Sequence, residues 1–169
     1  MTTALFITRA QPFHLGHLRV IREILKKNKN IVILIGSTQS KGTRKNPFSA
    51  REREEMITRA LKAGRVRNYE IVRADDIFND QLWVARVNKV CKFDVVYSMN
   101  PWTIRCFKRA GIKVRKHSLY RRKSCSGSEI RKMIAGNGKW EALVPGSVAE
   151  HIKDIKGVKR IKRLEKKGK

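Results

Sequence analysis

The chain has 169 residues, 41% of them hydrophobic, with 40 Lys and Arg against 14 Asp and Glu, a formal net charge of +26. That length suits one domain with a real core, and the longest wholly apolar run, residues 31–35, is far short of the roughly 20 residues that cross a bilayer. The three scattered cysteines, Cys91, Cys106 and Cys125, argue against a disulfide framework and for a reducing compartment.

The first apolar run, Ala4-Leu5-Phe6-Ile7, reads as a buried strand. No basic segment precedes it, so no signal peptide is expected and a cytoplasmic location is. Pro12 cannot continue a central strand. From His14 to Lys27 the apolar positions Leu15, Leu18, Ile21, Ile24 and Leu25 have helical spacing. His14 and His17, three apart, are then expected on one face at the opening of the helix. Unpaired N–H groups and the positive end of the helix dipole gather there, an arrangement suited to phosphate. Gly16 leaves room between them for a close approach. A zinc site would need further His or Cys at ligand spacing, and the chain has no CxxC; chance spacing of two histidines is the plainer competitor.

Residues 31–35 form a second, fully apolar strand, as expected inside a parallel sheet. It ends at Gly36-Ser37. The basic loop 38–47 follows, from which Lys41, Arg44 and Lys45 either reach a phosphate pocket or stay solvated. Ser49 and Glu52 have capping-box spacing for a helix through Met56, Ile57, Ala60 and Leu61 that stops near Gly64. Residues 69–72 read as the third strand; the paired aspartates Asp75 and Asp76 that open the stretch 75–80 invite a metal or acid-base reading, against the commoner one as turn and cap residues. A helix is expected over 82–90, carrying Trp83 either into the core or against a ligand ring. Residues 94–97 make a fourth strand, 102–110 a helix, and 112–115 a fifth strand. This alternation predicts an α/β fold: a parallel sheet of about five strands with helices on both faces.

The second chemical stretch is 120–131, YRRKSCSGSEIR. Ser124, Ser126 and Ser128 surround Gly127 just before a helix expected over 129–134. They offer hydroxyls and N–H groups to phosphate, with Arg131 one turn in. An ordinary capped helix would look the same. A last helix carries Val148, Ile152 and Ile155, is interrupted near Gly157, and continues through Val158, Ile161 and Leu164 among lysines and arginines. That basic amphipathic segment either packs on the domain or meets nucleic acid or membrane. The expected organisation is a single domain over 1–165, with 147–165 its basic helical segment and 166–169 a frayed tail.

The order and spacing of Arg9, Gln11-Pro12-Phe13-His14, Gly16-His17, Gly36-Ser37, Asn46-Pro47-Phe48-Ser49, Leu82-Trp83-Val84, Asn100-Pro101 and Ser126-Gly127-Ser128-Glu129-Ile130-Arg131 resemble the H-x-G-H nucleotidyltransferases, most closely the archaeal-type nicotinamide-nucleotide adenylyltransferases. The resemblance covers nearly the whole chain. It implies a Rossmann-like nucleotidyltransferase fold and transfer of AMP from ATP to nicotinamide mononucleotide (NMN), giving NAD and pyrophosphate. Mg2+ would ride on the ATP phosphates rather than in a protein metal site. It implies catalytic roles for His14, His17 and Arg131. ATP would be bound by Ile7, Thr8, Arg9, Phe13, His14, His17, Ser126, Gly127, Ser128 and Arg131. NMN would be bound by Arg9, Gly36, Ser37, Arg44, Trp83 and Asn100, with Trp83 stacked on the nicotinamide ring. Thr8 stands where the family usually has glycine, and Cys125 lies in a loop one residue longer than usual. A homo-oligomer without membrane association is expected. The alternatives are another phosphate acceptor on the same fold, or a basic nucleic-acid-binding relative that has lost the chemistry; the net charge favours the last and the intact histidine pair opposes it.

Overall fold

β1 (Thr3–Thr8) sits at the centre of a five-stranded sheet, and its burial reflects that position: Ala4 and Leu5 are wholly inaccessible to solvent. A computed structural model describes residues 2–118, 120 and 125–167; Ser124 of the expected phosphate cradle and residues 168–169 of the expected tail lie outside them. The sheet also contains β2 (Asn30–Ile35), β3 (Tyr69–Arg73), β4 (Val95–Tyr97) and β5 (Val114–Arg115), in the order β3-β2-β1-β4-β5. Every pairing is parallel, with Thr3 opposite Asn30, Ile31 opposite Tyr69, Ala4 opposite Val95 and Val96 opposite Val114. The order runs outward from β1 in both directions. The reversal between β1 and β4 is the switch point where open α/β sheets bind ligands.

The helices are α1 (Leu15–Leu25), α2 (Ala50–Ala63), α3 (Asp80–Val90), α4 (Pro101–Arg109), α5 (Gly127–Ala135), α6 (Gly146–Asp154) and α7 (Gly157–Lys166), with a 3-10 helix at Trp140–Leu143. Their ends are set by caps, which explains where the expected boundaries shift. His14 is outside α1, because its carbonyl accepts the first bonds from the His17 and Leu18 N–H groups at 3.0 and 3.2 Å. α3 begins two residues early because the Asn79 side chain accepts from Leu82 N–H at 3.0 Å. The last helix is two: Lys156, in left-handed backbone at φ 55°, separates α6 from α7. Residue 166 of the expected tail is the last residue of α7. None of the helices among the described residues is long and apolar enough to cross a membrane.

The chain forms two compact units. The first, Met1–Thr8, Val20–Gln39 and Asn68–Ser118, holds the sheet. Its core includes Leu5, Val32, Leu34, Trp83, Val84, Val87, Val96 and Phe107. The second, Arg9–Arg19, Ser40–Arg67 and Leu119–Lys169, is helical. There α2 packs on α6, and α7 packs on both α5 and α6. Met56, Ile57, Leu61, Val148, Ile152 and Ile161 are buried. The capping box of α2 is as expected: Ser49 Oγ accepts from Glu52 N–H at 3.3 Å, and Glu52 Oε2 accepts from Ser49 N–H at 2.8 Å.

Candidate active site

In the second unit, the segment after β1 is pinned before it reaches the histidines. Gln11 turns its amide onto the backbone of Phe48, donating to the carbonyl at 2.8 Å and accepting from the N–H at 3.0 Å. The Arg53 side chain is wholly buried; its Nη1 donates to the Arg9 carbonyl at 2.9 Å and its Nε to the Ser49 carbonyl at 3.3 Å. A buried cation needs such acceptors, because desolvation without them is costly. Arg131, one turn into α5, donates from Nη1 to the Gln11 carbonyl at 2.6 Å. The side chains of Gln11, Arg53 and Arg131 therefore fix Arg9 and Gln11 on the approach to Pro12.

His14 and His17 follow. Their rings stack with centroids 3.7 Å apart, and the Phe13 ring stacks on His17 at 5.2 Å. The His14 backbone N–H donates to Nδ1 of His17 at 3.2 Å. An accepting Nδ1 carries no proton, so the proton of His17 sits on Nε2, which is thereby a donor. His14 is only 9% exposed, and burial lowers its pKa to about 4. It is neutral at physiological pH. A Cβ on Gly16 would lie 2.9 Å from the His14 ring; only glycine lets that ring sit against the backbone.

α5 brings its N-terminus to the same unit. Ser126 caps it, its Oγ accepting from Glu129 N–H at 3.3 Å, and the Ser126 and Ser128 hydroxyls are 3.1 Å apart. Here too glycine is required: a Cβ on Gly127 would come within 2.7 Å of the Gln11 carbonyl oxygen and 3.3 Å of Arg131 Nη1. Burial, then the like charge of Arg9, lowers the Arg131 pKa from its ordinary value; an arginine remains cationic nonetheless. The residues brought together in this unit are thus two neutral-ring donors, a guanidinium, two hydroxyls and the N–H groups of a helix start. Such a set binds phosphoryl oxygens and neutralises charge as it develops.

Other expected residues have other surroundings. Phe13, expected at ATP, is completely buried; its ring supports His17. Arg44, expected at NMN, makes a two-pronged ion pair with Glu165 of α7, Nε to Oε2 at 2.7 Å and Nη2 to Oε1. In the first unit, Trp83 is 3% exposed and packs on Trp102 and Phe107, at 4.6 and 5.3 Å between centroids. This is the core placement among the two expected for it. Ser37 is held by Asp76, its N–H donating to Oδ1 at 3.1 Å and its Oγ to Oδ2 at 2.5 Å. A Cβ on Gly36 would lie 3.8 Å from Asp76 Oδ1. Asn100 caps α4 through Oδ1, accepting from Trp102 and Thr103 N–H groups at 2.9 and 3.3 Å; its amide nitrogen is left to donate. Thr8 is buried and its carbonyl accepts from Gly36 N–H at 3.0 Å, while Ile7 is half-buried in β1.

Sequence reasoning missed Arg53, the hold of Asp76 on Ser37 and the reach of Cys125. Cys125 Sγ lies 3.6 Å from Nδ1 of His14. An arginine among the apolar positions of α2 (Met56, Ile57, Ala60) was the one available signal for the first. The spacing of Asp76 to Ser37 and of Cys125 to His14, 39 and 111 residues, carried no signal at all.

A five-stranded parallel sheet with its switch point beside β1 and, in the second unit, a histidine pair and a helix start whose donors suit phosphate are the features of a nucleotidyltransferase. The cytidylyltransferase-like family matches over residues 5–133. The chain is 43% identical over 167 residues to the nicotinamide-nucleotide adenylyltransferase of Archaeoglobus fulgidus, covering 95% of this chain and 96% of that protein. It is 41% identical over 170 residues to that of Methanolobus tindarius, covering 100% and 98%. With that of Thermoplasma acidophilum the identity is 44% over 163 residues, covering 95% and 90%. The chain belongs to the nicotinamide-nucleotide adenylyltransferase family within the cytidylyltransferase-like nucleotidyltransferases. A solved bifunctional NMN adenylyltransferase/ADP ribose pyrophosphatase from Francisella tularensis, complexed with AMP and a Mn ion, shares the fold. Its TM-score is 0.76 at 22% identity, over 97% of this chain and 52% of that one. The chain thus spans about half the length of that bifunctional protein.

Proposed function

We propose that this chain joins ATP and NMN to give NAD and pyrophosphate. The observation that carries the reading is the stacked His14–His17 pair in one unit with Arg131 and the Ser126–Ser128 start of α5. An NMN phosphate oxygen attacks the α-phosphorus of ATP; that P–O bond forms as the bond to pyrophosphate breaks. The nucleophile is already an anion, so neither a covalent nucleophile nor a strong base is needed. What is needed is alignment and neutralisation of charge on the α-phosphate and on the leaving pyrophosphate. His17, with its proton on Nε2, donates to the transferred phosphoryl group, and neutral His14 does the same without adding charge. Arg131, Ser126, Ser128 and the N–H groups of Gly127 and Ser128 hold the triphosphate; Arg9, Thr8 and Ile7 are proposed for ATP as well.

Arg9, Gly36, Ser37, Arg44, Trp83 and Asn100 are proposed for NMN. Arg44 would exchange its Glu165 partner for phosphate, and stacking on Trp83, 3% exposed here, would require its ring to come out of its packing on Trp102 and Phe107. Among the described residues no group of three or more His, Cys, Asp or Glu could hold a metal ion. Mg2+ would enter as the companion of ATP, carried on its phosphates, where it would supply charge neutralisation. Residues 1–165 act as one nucleotidyltransferase domain in this reading, with 147–165 its basic C-terminal segment, and the protein works in the cytoplasm as a homo-oligomer.

The test is pyrophosphate release from MgATP with and without NMN, with NAD identified as product, and a parallel run with nicotinic acid mononucleotide to assign base preference. NAD formation that falls by about 100-fold or more in His17→Ala, in line with loss of a phosphoryl-stabilising donor, supports the reading. Pyrophosphate release that does not depend on either mononucleotide overturns it.

A further inference from the structure

The C-terminal helix carries a charge pattern that nucleotide transfer does not use. From Lys156 to Lys167 seven of twelve residues are Lys or Arg and one, Glu165, is acidic. Three of the charged residues are engaged within the protein. Arg160 donates to the Pro47 carbonyl, to Glu52 and to the Ile155 carbonyl; Lys162 bonds Asn137; Glu165 is paired with Arg44. The remaining cations, Lys156, Lys159, Arg163, Lys166 and Lys167, are all exposed. Among the described residues none of the five has a carboxylate within ion-pair distance. Lys159, Arg163 and Lys166, at i, i+4 and i+7, share one face of α7, and Lys156 and Lys167 cap its two ends. Glu165 points to the other side.

Like charges at i, i+3 and i, i+4 repel, and this stripe repeats such contacts: 156 with 159, 159 with 163, 163 with 166 and with 167. Among the described residues no carboxylate lies close enough to relieve them. A ligand with regularly spaced negative charges would. The other face of α7 decides between two classes of polyanion. Its apolar side is occupied: Ile161 is buried, Val158 and Leu164 are partly covered, and the helix packs on α5 and α6. An interfacial membrane helix needs an apolar face free to enter the acyl region, and α7 has none to offer. No aromatic residue lies on the stripe, so base stacking has no platform.

We propose that this face of α7 docks the phosphodiester backbone of nucleic acid without regard to sequence. The inference does not depend on the adenylyltransferase reading. Five phosphate contacts predict a slope of log affinity against log salt of about −4.5 for duplex DNA and about −3.5 for single strands. Between 50 and 200 mM salt, affinity should therefore fall about 500-fold and about 100-fold respectively.

The experiment is fluorescence anisotropy of a labelled duplex DNA and a labelled single-stranded RNA of mixed sequence, titrated with the full chain across that salt range. The triple variant Lys159→Gln/Arg163→Gln/Lys166→Gln is run beside it, with circular dichroism as the check on folding. The expected result is binding with these slopes, the two probes showing which strand form is preferred, and a slope lower by about 2 to 3 in the folded variant. Absence of binding to both probes at 50 mM salt overturns the proposal, as does an unchanged slope in the variant. Vesicles containing anionic lipid are the third arm; binding to them and to neither nucleic acid, lost in the same variant, overturns it in favour of a membrane surface.

Discussion

The Sγ of Cys125 lies 3.6 Å from Nδ1 of His14, and both side chains are buried. The same sulfur faces the Leu143 carbonyl at 3.7 Å, but the imidazole nitrogen is the more basic acceptor. With the thiol S–H donating a hydrogen bond to an unprotonated Nδ1, the ring's single proton sits on Nε2. Both histidines then present Nε2–H, His17 through a backbone N–H and His14 through a thiol. Cys125→Ala should lower turnover about tenfold with little change in the KM for ATP, since it removes an orienting contact and not a binding one. Cys125→Ser, which keeps a donor, should recover most of it. Side-chain 15N shifts of His14 read the tautomer directly; an Nδ1–H form in the parent protein would remove the basis for this prediction whatever the kinetics show.

Gly127 is the point where α5 touches the segment ahead of the histidines. Gly127→Ala puts a methyl 2.7 Å from the Gln11 carbonyl oxygen, a backbone atom that is also the acceptor for Arg131. Overpacking of this kind costs about 1–3 kcal/mol. The displaced helix start moves Ser126, Ser128 and Arg131 together, so turnover should fall more than stability alone explains. Urea unfolding gives the first quantity and steady-state rates the second; a variant with parent-like rates would show that the start of α5 has slack.

Arg53 is buried as a cation, yet it serves backbone. Its Nη1 bond to the Arg9 carbonyl and its Nε bond to the Ser49 carbonyl tie the head of α2 to the strand exit. Arg53→Met keeps much of the volume and leaves both carbonyls short of a donor. The expected loss is about 1–3 kcal/mol per carbonyl left unsatisfied, seen as a lower midpoint in urea. The Arg53→Lys variant should recover part of this, having charge but no planar fork. An unchanged midpoint for Arg53→Met would mean that water replaces the guanidinium at both carbonyls.

These three residues also mark how far the sequence could be read. The elements were legible because each depends on near neighbours: alternation of apolar runs gave all five strands, and Ser49 with Glu52 gave the capping box. The histidine pair and the Ser126–Arg131 stretch were legible for the same reason, being local motifs on helix starts. Helix ends were less so, because Asn79 and Asn100 act through side-chain caps that do not alter hydrophobic spacing. Trp83 was ambiguous in sequence, since core burial and ring stacking ask for the same residue; Trp102 and Phe107 close around it in space. Arg53 and Cys125 act across distances in sequence that no periodicity connects.

The low pKa of His14 makes a prediction about acid stability. In the unfolded chain a histidine titrates near 6.5, whereas burial holds His14 to about 4 in the native state. Above pH 6.5 neither state is protonated and the native fold has its full stability. Between 6.5 and 4 the unfolded chain takes up a proton that the native chain does not, so the unfolding free energy falls as pH falls. Below 4 both states are protonated and the loss stops growing. The whole loss amounts to about 3 kcal/mol, at about 1.4 kcal/mol for each pH unit separating the two values. His151 is shifted in the same direction, by burial and then by Arg59, so the parent curve alone does not isolate His14. The difference between the parent and His14→Gln does. It should be flat above pH 6.5, narrow or reverse by about 3 kcal/mol between 6.5 and 4, and flatten again below. Parallel curves across that window would mean that His14 titrates as it does in solvent, and the argument for a neutral His14 at the transferred phosphate would fall with it.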